Sequence, residues 1–254
     1  MEREWPLLSK PPIILDLFQI KFSEASSLPQ DIANEESKIG VRKNYPNRHD
    51  NLNSNIQLDK FPDTGISTIK AKANTRLETL IYTSEDKKNK VAIDDKSFTI
   101  SSEMEYKDWA TFSSEIKKIL EMFALVMKDI HIERISIRFV NRIRLNLKDD
   151  LTEYVNATVY VNQNNMPYPQ YDISKFGFKI MYRIPNSPIY AIVNQNIDPQ
   201  TDYCFYILDL DVLKPLDMSF NVDSIIGVAD ELRGIRNNIF FNNVTDKLIE
   251  LCQQ

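Results

Sequence analysis

The chain has 254 residues, 43% of them hydrophobic and 26% charged, with a net charge of −5 and two cysteines. That length and composition bury a core without covalent staples, which excludes a disordered or a disulfide-framed protein. The acidic balance gives no overall attraction for phosphate backbones or anionic membranes, and five scattered glycines (Gly40, Gly65, Gly177, Gly227 and Gly234) exclude the clustered-glycine loops that cradle nucleotide phosphates.

The start, Met1 to Pro12, has no apolar h-region, so no signal peptide is expected. Apolar stretches are strand-sized, far short of the roughly 20 residues of a membrane span. The reading is a cytoplasmic protein whose Cys204 and Cys252 are reduced thiols. Residues 13–22 read as a first, central strand, with Ile14, Phe18, Ile20 and Phe22 on one parity. Ser27 and Gln30 read as a capping box before a short helix from Leu28 to about Ile39. Residues 44–66, rich in Asn, Asp and Pro, read as a loop or irregular arm. Three short antiparallel strands are expected within 68–101, around TLIY, KVAI and FTIS.

A helix follows from Thr111 to about Asp129, with Phe112, Ile116, Ile119, Leu120 and Phe123 at helical spacing. The clearest strand runs over 132–147. Its odd positions from Ile135 to Leu147 are apolar apart from Asn141, and its even positions include Arg138, Arg142 and Arg144. Strands are expected at 157–162, 173–183, 189–195 and 203–213. A closing helical region runs from near Asp223 to Leu251, broken around 242–245. The fold class is α+β: a mostly antiparallel sheet with helices on one face, in two similar strand-meander-helix halves, 1–130 and 131–254, packed as one globular unit.

Histidine and thiol chemistry has little to draw on. His49 reads as a solvated loop residue, His131 as a structural histidine on the apolar side of its strand, and Cys204 as core. Asp209 and Asp211, two apart on a strand, point to one face, where they could hold Mg²⁺ or pair with the arginine row. Asn141 reads as a buried amide bonded to backbone. Residues 38–49 collect Lys38, Arg42, Lys43, Arg48 and His49 around Tyr45, a pattern suited to nucleic acid or to a solvated face. On the closing helix, Arg233 and Arg236 precede Phe240 and Phe241. These adjacent rings cannot both face one core, which suggests a contact with another subunit.

PPI at 11–13 opening a strand that ends IKF, RFVNRI at 138–143, ILDLD at 207–211 and the closing Phe241-x-x-V-T-Asp246 resemble one family. It is a sporadically distributed, uncharacterised prokaryotic family with a PPI opening, an RYINRI-like central strand and an ILDID-like late strand. Two positions depart from that pattern: Leu15 stands where an acid is expected, and Arg233 where a histidine is expected. The resemblance brings no established activity. Its scattered distribution is similar to that of mobile defence or toxin–antitoxin cargo, an analogy only.

The expectation is therefore a non-enzymatic binding or regulatory subunit of a bacterial defence or toxin–antitoxin module. It would act through a protein partner encoded nearby, a second copy of the chain or an effector, with no cofactor and no membrane. The candidate binding residues are Arg138, Asn141, Arg142, Arg144, Asp209 and Asp211, with Arg233, Arg236, Phe240 and Phe241 on the closing helix. One alternative is a metal-dependent phosphodiester or nucleotide enzyme using Asp209 and Asp211, with Arg138 and Arg142 clamping phosphate. A further alternative is a nucleic-acid-binding module working through 38–49.

Overall fold

A computed structural model describes residues 5–59, 70–146, 149–156 and 176–253. Two strands, β1 (Ile13–Phe22) and β6 (His131–Asn146), pair antiparallel at the middle of an antiparallel sheet that has nine strands among the described residues. From β1 the chain passes through α1 (Leu28–Ile39) to the far edge, β2 (Asn47–Asp59). It then meanders back through β3 (Lys70–Thr83), β4 (Asn89–Asp94) and β5 (Ser97–Ser102) to β1, and α2 (Trp109–Met127) follows. The second half repeats the winding. From β6 it reaches the opposite edge at β7 (Phe176–Arg183), returns through β8 (Tyr190–Pro199) and β9 (Tyr203–Ser219) to β6, and ends in α3 (Val222–Asn243) and α4 (Asp246–Leu251). The sheet order is β2-β3-β4-β5-β1-β6-β9-β8-β7. The fold is α+β.

The helices lie on one face because the core residues share one side of each strand. Phe18 and Ile20 of β1, Ile135, Ile137 and Phe139 of β6, and Val212 of β9 are wholly buried against Ile116, Ile119 and Phe123 of α2 and Leu232 of α3. This cluster crosses both halves. A second cluster, with Tyr206, Leu208, Phe240 and Leu248, lies beneath α4. Two contacts set α3 antiparallel to α2: the Trp109 indole N–H donates to Asp230 (2.6 Å), and Lys117 pairs with Asp223 (2.8 Å). Asp108 caps α2 by accepting from the Thr111 amide, and Asn221 caps α3 in the same way through Ser224. Among the described residues no helix is long and apolar enough to cross a membrane.

Several expectations are corrected. Residues 47–59, read as loop, form β2, because a paired backbone ladder tolerates Asn and Asp that propensity alone would place in turns. Ser27 makes no capping bond to a backbone amide; its hydroxyl donates to Asp31, and Pro29 lies in the first turn of the helix. A register shift at the Ile13–Leu15 end of β1 puts Ile13 in the core and Ile14 outside. A similar shift after Ile132 turns His131 outward, where it pairs with Asp217 on the surface. Cys204 is half-buried rather than fully in the core. The strand expected at 157–162 lies outside the described residues.

Candidate functional site

Two polar assemblies lie on opposite faces of the β6–β9 pair. On the open face, Arg138 donates two hydrogen bonds to Asp209, Nε to Oδ1 and Nη2 to Oδ2, both 2.8 Å, and Asn194 adds a third at 3.1 Å. The strand register brings them together diagonally: Arg138 is opposite Asp211, and Val140 is opposite Asp209. A bidentate fork on a buried carboxylate fits the ion-pairing reading at Asp209, both of whose oxygens are occupied, whereas the Asp211 Oδ1 is buried without a hydrogen-bond partner among the described residues. Burial pushes the Asp211 carboxyl up, while Arg138 and Arg134 pull it back. Among the described residues no group of three or more His, Cys, Asp and Glu is arranged to hold a metal ion. Arg142 and Arg144 leave the acids alone and lie over Phe205 (4.8 Å) and Tyr203 (4.0 Å).

The helix-covered face carries the other assembly. The N-terminal segment, α2's first turn and α3 enclose a cleft of about 140 Å³. Asn141, Arg233, Arg236, Phe240 and Phe241 all line it, so five of the ten sequence-derived candidates converge on one place. Asn141, 1% exposed, sits on the core side of β6 and donates to the Leu208 carbonyl of β9 (2.9 Å); its Oδ1 is buried without a hydrogen-bond partner among the described residues. The backbone partner is a neighbouring strand, which holds the amide rigidly. Arg236, 6% exposed, lies with its guanidinium 3.9 Å above the Phe139 ring. Burial lowers its pKa to about 10, leaving it protonated at neutral pH. Its Nε likewise lacks a partner among the described residues.

Phe240 and Phe241 are divided as steric reasoning requires. Phe240 is buried, while Phe241 is stacked at 4.9 Å against Trp5 of the same chain. The ring attributed to a subunit contact is thus covered intramolecularly. The N-terminal segment is held there by main-chain and side-chain bonds: Lys10 N–H donates to the Cys252 carbonyl and Gln253 Nε2 to the Leu7 carbonyl. The closing motif anchors the same, C-terminal end of α3. Gln195 Nε2 donates to Asn243 and accepts from the Tyr206 hydroxyl at its own oxygen, all of it buried, and Thr245 caps α4.

Asp16 is the residue that sequence reasoning passed over. It shares parity with Phe18, Ile20 and Phe22 and is 4% exposed, an acid on the core face of a central strand. That parity was the available signal. Burial raises its pKa to about 7, against the pull of Arg236. It lines a second cavity that meets the cleft at Tyr106, Lys107 and Asp108.

The basic segment 38–49 is largely neutralised from within. Arg42 and Arg48 both pair with Glu36, Arg48 also with Asp50, and Lys38 with Glu35. Tyr45 is buried, its hydroxyl donating to Glu115, so its ring is not offered for stacking.

Fold and site together define a two-layer α+β protein with a cation-floored cleft under its N-terminal segment. No family model, curated protein or solved structure matches the chain.

Proposed function

We propose that this chain is a non-catalytic binding or regulatory subunit of a bacterial defence or toxin–antitoxin module, acting through a partner protein or an effector. The observation that carries the binding reading is Arg236: a protonated guanidinium held in a cleft with an unmet donor, next to Asn141 with an unmet acceptor. Unmet buried polar atoms are costly, and they persist where a ligand completes them. The elements that build the cleft are rigidly tied, by the Trp109–Asp230 bond and by the Lys10 and Gln253 contacts, which suits recognition by a preformed site. The assignment to a mobile module rests on the family resemblance of RFVNRI and ILDLD, strands that pair here as β6 and β9.

Co-expression of the tagged chain with the products of the adjacent genes tests the proposal. A stoichiometric complex on size exclusion is the expected result. A chain that stays solitary beside every neighbour and turns over a substrate of its own refutes it.

A further inference from the structure

We infer that the cleft is a binding site for a small ligand joining one aromatic ring to a carboxylate or phosphate group, with Arg236 as the anion's principal contact. This rests on reading the cleft as the recognition site and goes further by naming the ligand's chemistry.

The charge balance selects the anion. Among the described residues Arg236, Arg233 and Lys107 line the cleft, against one lining acid, Asp108, whose carboxylate is already engaged with the Thr111 amide. Asp230, the nearby acid of α3, is taken by the Trp109 indole. Arg236 makes no carboxylate fork among the described residues of the kind Arg138 has in Asp209: it lies over the Phe139 ring, bonds the Tyr106 hydroxyl and feels the Asp16 carboxyl only through space, with no ion-pair contact between them. A guanidinium offers Nε–H and one Nη–H side by side, the spacing of two oxygens on a carboxylate or phosphate. Nε is the free member of that pair. In a site screened from water, such a charge-assisted pair is stronger than at the surface.

The walls select the ring. Trp109 and Phe240 are buried there, and the Trp5–Phe241 stack closes one side. The volume, about 140 Å³, matches the roughly 150 Å³ apolar cavity known to take up benzene. The unmet Oδ1 of Asn141 adds one acceptor, which favours a ring bearing a hydroxyl or amine.

The chain's two tryptophans, Trp5 and Trp109, both line the cleft, so their emission reports on its occupancy. Titration with benzoate and with phenyl phosphate, checked by calorimetry, is expected to give a saturable change that weakens with salt, the stronger of the two probes identifying the head group. Benzyl alcohol and benzylamine are expected to give none. Arg236→Gln is expected to weaken binding about 10- to 100-fold, the worth of a charged hydrogen-bond pair. Arg233→Gln, at an exposed position that tolerates change, is expected to weaken it several-fold and keeps the test decisive if the buried variant does not fold. Equal binding of benzyl alcohol, no response to either anion, or undiminished binding by both variants would overturn the inference. Failure here with an intact partner complex leaves the subunit reading standing; the reverse outcome leaves the site standing and removes the subunit reading.

Discussion

Asp16 makes the folded chain's stability depend on pH in a direction opposite to that of an ordinary paired carboxylate. Its carboxyl titrates near 7 in the folded protein against an ordinary 3.8, chiefly because burial disfavours the charged form. Between those values the folded state holds a proton that the unfolded chain has released. Stability therefore falls as pH rises through this window and levels off above it. At about 1.4 kcal/mol per unit, the loss from this one group between pH 5 and pH 8 is about 3 kcal/mol. Asp16→Asn keeps the shape and removes the titration. Urea unfolding of both proteins across that range isolates the effect, since every other titrating group cancels in the difference. The variant is expected to gain about 3 kcal/mol on the parent between the two ends. A difference that stays flat would refute the reasoning, and one that moves the other way would mean that pairing with Arg236 outweighs burial.

Other consequences follow from single contacts. Arg138→Ala leaves Asp209 buried with only Asn194 to satisfy it and is expected to cost about 2 kcal/mol in urea unfolding. In a double-mutant cycle with Asp209→Ala, the paired change is expected to cost less than the sum of the two. Phe139→Ala removes the ring shared by Tyr106, Trp109, Phe112 and Arg236, so a loss of about 3 to 5 kcal/mol is expected from the same measurement. At Gly177 an added Cβ would lie 2.1 Å from Asn196 Oδ1 and 3.2 Å from the Gln195 carbonyl. Gly177→Ala is expected to lower stability by about 1 kcal/mol, and Asn196→Ala to recover most of it, because the closer obstacle is the end of a side chain.

Much of the site was legible in the residues. The arginine row and the aspartate pair were identified by parity, and the meeting of Arg138 with Asp209 required only that β6 and β9 be neighbours. Asn141 was singled out as the polar residue on an apolar strand face, and Arg236 and Phe240 as members of the arginine and phenylalanine run on the closing helix; each lines the cleft. Other features could not be read locally. Trp5 covers Phe241 across more than two hundred residues of chain, and no periodicity encodes such a contact. The register shifts that turn His131 outward and exchange Ile13 for Ile14 depend on how β1 and β6 slide against each other, a property of the pair and of neither strand alone.

Strand and helix periods, and with them the α+β class and the apolar side of β6, were set by the sequence, since alternation and helical spacing are properties of neighbouring residues. The function-bearing arrangement was decided by tertiary structure. Two arginines read as equivalent on one helix became an exposed Arg233 and a buried Arg236. An acid unnoticed within an apolar strand became a group titrating near neutrality. The physical reason is the same in both cases: burial and the charges facing a group determine its protonation and its free hydrogen bonds, and both are supplied by elements distant in sequence.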